Sequence, residues 1–155
     1  IVGDLATTRD AQRLARTNDQ VVQVNTNRGC HLDANQVKQA LGKIDLGQID
    51  LLAIENVGNL ICPVGFDLGQ DAKVGMFSVT EGDDKAAKHP YLVHESSLLI
   101  LNKTDLLPHV PFNLEAFRKD VQTLNPNTRM IELSAAKGPL DEWTRWLEQR
   151  AVVSA

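Results

Sequence analysis

The chain has 155 residues, 43% hydrophobic and 23% charged, with a net charge of -4 and a pI near 5.5. That size and balance suit one soluble globular domain with a real core; the acidic balance gives no electrostatic case for nucleic acid, and no run approaches the roughly 18 uninterrupted apolar residues of a membrane-spanning helix. Two cysteines are too few for a disulfide framework, and the opening IVGDLATTRDAQ lacks a basic segment followed by a long apolar core, so we expect no signal peptide and a reducing, cytoplasmic setting.

Taken in order, the chain alternates between strand and helix patterns. Ile1-Val2 reads as a strand, and Thr7 or Thr8 can cap a helix with Ala11, Leu14 and Ala15 on one side. Val21-Val22-Gln23-Val24 reads as a second strand, ending at Asn25-Thr26. Asp33 suits the N-cap of a helix that presents Val37, Ala40 and Leu41 and stops near Gly42. Ile49, Leu51, Leu52, Ala53 and Ile54 form an apolar run too short for a helix, which predicts a buried central parallel strand with Glu55, Asn56 and Gly58 at its carboxyl end. Further strands are predicted over 73–79, 98–101 and 130–133, with helices over 88–95, 114–124 and 140–150. This alternation predicts an α/β fold, a mostly parallel sheet sandwiched by helices, with no internal repeat or linker.

Ligands of open α/β sheets bind beyond the carboxyl ends of the strands, and two of the predicted ends carry chemistry. Glu55, with Gly58 three positions later, is the arrangement by which nucleotide hydrolases hold a Mg²⁺ shell with a carboxylate and set a backbone N–H against a terminal phosphate. Cys62 follows four residues after Gly58, so movement of that loop carries its thiol. After Leu98–Leu101 come Asn102, Lys103 and Asp105, the N-K-x-D pattern with which guanine-nucleotide-binding proteins recognise their base. A carboxylate at Asp105 accepts from both N1–H and the N2 amine of guanine, whereas adenine presents an acceptor at N1 and leaves that charge unpaired. Lys103 can lay its aliphatic stem over the base and Asn102 can tie neighbouring loops together. Ser134-Ala135-Ala136-Lys137-Gly138 is similar to the S-A-x-x-G loop whose backbone N–H groups complete a guanine pocket. The phosphate cradle G-x-x-x-x-G-K-[ST] occurs nowhere in these residues, and we expect an amino-terminal segment carrying it ahead of Ile1.

TRDAQRL, NTNRGCHLDA, DLLAIENVGNLICPVGFDLG, SVTEGDDKAAKHP and LNKTDLLPH, in that order, resemble the hydrogenase maturation GTPases of the HypB family, accessory proteins of nickel incorporation. The resemblance covers nearly the whole chain. The related urease accessory GTPases, the UreG family, read C-P-H where this chain has Cys30-His31. The resemblance implies a P-loop NTPase (G-domain) fold of the SIMIBI class, here one G domain over 1–155 without its first strand, P-loop and first helix. It further implies GTP hydrolysis to GDP with Mg²⁺, a homodimer, and nickel delivery to the large subunit of [NiFe]-hydrogenase. The implied partners are the accessory protein HypA and the nickel chaperone SlyD, with no nucleic acid and no membrane.

Carried over residue by residue, the resemblance makes Asp4 a switch aspartate close to Mg²⁺ and Glu55 and Gly58 the switch II pair. It gives Asn102, Lys103, Asp105, Ser134 and Ala135 to the guanine, and Cys30, His31 and Cys62 to Ni²⁺ or Zn²⁺. Two thiolates and an imidazole are the soft-to-borderline donors those ions prefer; the fourth position falls to water, another donor or a second subunit. The chain departs from the family in lacking the P-loop and in the loop N-T-G-K-G-C-H, where Asn27-Arg28 replaces glycine-lysine. Two alternatives stand beside this reading: a non-hydrolysing nickel- or zinc-binding dimerisation module, and a urease-type nickel accessory GTPase. His89, His94 and His109 lack ligand spacing and read as surface or loop residues, Glu81 to Lys85 as a solvated acidic loop, and Leu140, Trp143, Trp146 and Leu147 as the core face of the last helix.

Overall fold

Apolar residues at strand and helix spacing build a buried core in each of two compact units, Ile1–Gln70 and Asp71–Ala155. The computed structural model describes residues 1–4, 9–17, 20–26 and 29–151.

In the first unit β1 (Val2–Asp4) leads through α1 (Arg9–Leu14) and a short 3₁₀ turn (Ala15–Thr17) to β2 (Gln23–Asn25), and then to α2 (Ala34–Leu41). A parallel pair needs such a crossover, and β1 and β2 run parallel with Val2 opposite Gln23 and Asp4 opposite Asn25. Thr7 and Thr8, the predicted cap of α1, lie outside the described residues. Asp33 caps α2 as predicted: its carboxylate accepts the Gln36 amide at 2.8 Å and the Gln36 side chain accepts the Asp33 amide at 3.0 Å. Val37 and Ala40 then bury against Ile1, Leu32 and Ile44, with Val22, Val24, Leu52, Ile54 and Leu68 around them. Gly3 makes this packing possible, because a β-carbon there would stand 2.7 Å from Leu32 Cγ and 3.2 Å from the Glu55 carbonyl.

The predicted central strand over 49–54 is not formed. Residues 51–54 are not part of a strand; the segment meets the start of the chain through a parallel bridge between Val2 and Glu55 and a bond from the Ile1 amino group to the Ala53 carbonyl at 2.8 Å. Hydrogen bonds from the Glu55 amide to the Ile1 carbonyl, 2.9 Å, and from the Gly3 amide to the Glu55 carbonyl, 2.8 Å, hold it there. Leu52 and Ile54 face the cluster while Leu51 is 48% exposed. The segment therefore buries one side only, where a parallel strand inside a sandwich buries both.

The second unit contains β3 (Val74–Ser78), α3 (Lys85–Lys88), α4 (Pro90–Glu95), β4 (Leu98–Asn102), α5 (Leu114–Leu124), β5 (Arg129–Glu132) and α6 (Asp141–Ala151). Its three strands pair parallel in the order β3-β4-β5, with Ser78 opposite Asn102 and Leu101 opposite Glu132. Side chains alternate along β4. Leu98 and Ile100 join Ile131, Leu133 and Trp146 of α6, and on the other side Phe77 of β3 meets Phe117 of α5 edge-on at 5.5 Å. The sheet is thus covered by helices on both faces. The helix predicted over 88–95 is two helices, because Pro90 has no amide to donate and forces His89 out of the helical region, at φ -125° and ψ 56°. Leu140 is 39% exposed and precedes α6, so it does not belong to the core face that Trp143, Trp146 and Leu147 build.

Candidate nucleotide and metal sites

Parallel pairing brings the carboxyl ends of β4 and β5 side by side, and the base-reading candidates sit there. The Leu133 amide donates to the Leu101 carbonyl at 3.0 Å and the Thr104 amide to the Leu133 carbonyl at 3.2 Å, so the two loops leave the sheet already joined. Asn102 joins them again: its side-chain oxygen accepts the Lys103 amide at 2.7 Å and the Ala135 amide at 3.1 Å. Lys103 adopts the left-handed conformation, φ 61° and ψ 34°. For a residue with a β-carbon this costs on the order of 1–3 kcal/mol, a strain that concentrates at ligand-binding turns.

Beyond Lys103 the chain turns so that Asp105, 19% exposed, meets the Ser134 loop. The Ser134 hydroxyl and Lys137, whose Nζ stands 3.3 Å away, hold the Asp105 carboxyl below its ordinary value. Ser134 is itself buried, and its Oγ accepts the Lys137 amide at 3.2 Å. Asp105 is thus an ionised acceptor fixed in direction, which is what reading two adjacent N–H donors requires. A cavity of about 560 Å³, lined in part by Asp105, Ser134, Lys137 and Trp143, opens beside the pair.

In the first unit Asp4 ends β1, half-buried, and its carbonyl accepts the Thr26 amide at 3.0 Å. Glu55 is exposed at the adjoining bridge, and Gly58 lies in the loop beyond it. A β-carbon at Gly58 would meet nothing within 4 Å, and its φ lies outside the left-handed range. Nothing among the described residues requires glycine at this position.

Cys30 and Cys62 come together from loops 32 residues apart in sequence. The neighbouring Cys62 thiol pushes the Cys30 thiol above its ordinary value, and His31 Nδ1 lies 3.5 Å from Cys30 Sγ. The His31 ring stacks on Phe66 with centroids 3.8 Å apart. Cys30 is the common neighbour of the other two, yet among the described residues no three His, Cys, Asp or Glu side chains are gathered into a ready cation cluster. A thiol pair with an adjacent imidazole matches the donor preference of Ni²⁺ and Zn²⁺. The sequence alone assigns no bond to Asn56 or Asn59 and no contact to Phe66; in the structure Asn56 accepts the Leu32 amide and Asn59 the Cys62 amide.

A sequence profile of the CobW/HypB/UreG nucleotide-binding domain matches residues 1–132. The hydrogenase maturation factor HypB of Azotobacter vinelandii is 48% identical over 151 residues, which is 97% of this chain and 50% of that protein. The chain therefore spans about half the length of the curated relatives it matches. Among solved structures, HypB from Helicobacter pylori in complex with nickel superposes with a TM-score of 0.93 at 33% identity, covering 97% of this chain and 72% of that one. HypB from Archaeoglobus fulgidus gives a TM-score of 0.87 at 37% identity, covering 97% and 75%. The fold is that of the P-loop NTPases, and the chain belongs to the CobW/HypB/UreG nucleotide-binding domain family, among the HypB hydrogenase maturation factors.

Proposed function

We propose that the chain is the guanine-nucleotide and metal-handling part of a GTP-hydrolysing nickel metallochaperone that assists nickel insertion into the large subunit of [NiFe]-hydrogenase. The observation that carries the nucleotide half is the bond from the Ala135 amide to Asn102, which joins the N-K-x-D and S-A-x-x-G loops beside an Asp105 carboxylate kept ionised by Ser134 and Lys137. Asn102, Lys103, Asp105, Ser134 and Ala135 take the guanine. Asp4 and Glu55 serve Mg²⁺, a hard cation that prefers carboxylates and water, and Gly58 offers its amide to the terminal phosphate. A glycine that no neighbour and no backbone angle demands fits a position where a ligand approaches the main chain closely. The phosphate cradle comes from residues other than 1–155.

Nickel is the cargo. Its support is the facing Cys30–Cys62 pair with His31 beside it, together with the likeness to a HypB solved in complex with nickel. Zn²⁺ suits the same donors. A homodimer, the partners HypA and SlyD, and a cytoplasmic setting complete the proposal. Equilibrium binding tests it: with a phosphate-binding segment joined ahead of Ile1, GDP should bind and adenosine diphosphate should not, and Ni²⁺ should develop thiolate charge-transfer absorption that Cys62→Ser removes. Equal binding of the two nucleotides would overturn the base assignment.

A further inference from the structure

We propose that Asn56 and Asn59, the two asparagines on either side of Gly58, are positioning residues that set the separation of the Cys30 and Cys62 thiols. The inference rests on the metal reading above and concerns how the donors are held. Asn56 Oδ1 accepts the Leu32 amide at 2.8 Å, across 24 residues of sequence, and also the amide of its own neighbour Val57 at 2.8 Å. Leu32 follows Cys30 and His31 directly and is fully buried over Gly3, so this bond fastens the donor-bearing turn to the loop after Glu55. Asn59 does the same for the other thiol, its Oδ1 accepting the Ile61 amide at 2.9 Å and the Cys62 amide at 3.4 Å. Between them the Asn59 amide donates to the Val57 carbonyl at 2.7 Å, and Val57 is buried.

The four residues from Asn56 to Asn59 thus form one braced loop with a donor turn fastened at each end and Gly58 open between them. Groups behind the ligands fix ligand direction, and their loss costs roughly 10- to 100-fold in metal affinity even though no ligand is touched. A side-chain oxygen with two lone-pair directions is what each position uses, so a carboxylate substitutes for the amide and a methyl group does not.

The test takes the 155-residue chain and its Asn56→Ala, Asn56→Asp and Asn59→Ala variants through titration with Ni²⁺ alone, following thiolate charge-transfer absorption. Beside it runs the rate at which Cys30 and Cys62 close to a disulfide with oxidised glutathione, two thiols being oxidised as one glutathione disulfide is reduced to two thiols. Circular dichroism and thermal midpoint report on the fold. The expected result is about 10- to 100-fold weaker Ni²⁺ binding in both alanine variants, slower disulfide closure, an unchanged circular dichroism spectrum, and recovery of both readouts in Asn56→Asp. Alanine variants that bind Ni²⁺ and close the disulfide as the parent does would overturn the inference. A parent chain that closes the disulfide readily but shows no thiolate absorption with Ni²⁺ would overturn the metal reading instead.

Discussion

The side-chain oxygen of Asn102 accepts the amide of Ala135 at 3.1 Å, joining loops whose residues lie 33 positions apart. A hydrogen bond of this kind contributes about 0.5–1.5 kcal/mol net to stability. Asn102→Ala should therefore cost that much in denaturant unfolding. It should also weaken guanine-nucleotide binding by more than the same amount, since the base pocket depends on both loops; a variant with parental nucleotide affinity would remove Asn102 from the site.

Asp105→Asn should change which base is read. Xanthine carries an oxygen where guanine has its N2 amine, and an amide donates to that oxygen where a carboxylate cannot. In a version supplied with a phosphate-binding segment, competition binding should show weaker GTP and tighter xanthosine triphosphate. Unchanged preference would show that another group reads the base.

The same carboxylate makes a prediction about acid. Ser134 and the nearby Lys137 hold the Asp105 carboxyl below its unfolded value, so the folded state binds that proton less readily than the unfolded chain. The stabilisation is fully present above the unfolded value and disappears as the pH falls through the lower folded one. Denaturant unfolding of the parent and Asp105→Asn across an acid series should show a difference that is full above the ordinary carboxylate value and shrinks as the pH falls from there through the lower folded one. A difference already lost at weakly acidic pH would contradict the assignment.

Gly58→Ala separates fold from function. With nothing within 4 Å of the added carbon, thermal unfolding should stay within the small range of surface substitutions, about 0.5 kcal/mol. GTP turnover in the phosphate-loop-bearing protein should fall steeply, because the added methyl crowds the amide offered to the phosphate. Parental turnover would remove Gly58 from the phosphate site.

Local signals were the legible ones. The helix predicted over 114–124 has the bounds of α5, whose apolar spacing is contained within the helix, and Asp33 announced α2 by an equally local signal. The segment over 49–54 misled because an apolar run does not say how many strands pair with it, and among the described residues its end makes a single bridge, to Val2 of β1. Pro90 was readable as a break and the periodicity on either side of it hid the break. At the sites, N-K-x-D and S-A-x-x-G are contiguous motifs that a sequence displays, whereas the reach of Asn56 to Leu32 joins two backbone positions and leaves no pattern in side-chain chemistry.

Gly58 and Cys62 lie on one loop, so nucleotide state and nickel handling should be coupled through the residues from Glu55 to Cys62. The direct measurement is Ni²⁺ titration of the protein, with its phosphate-binding segment present, in GDP and in a non-hydrolysable GTP analogue. A phosphate that tightens the loop at Gly58 should shift the Cys62 thiol, and linkage then requires the metal to change nucleotide affinity by the same factor, about 1–3 kcal/mol or roughly 5- to 150-fold. Ni²⁺ affinities that differ by such a factor between the two nucleotide states are the predicted result, and identical affinities in both would contradict it.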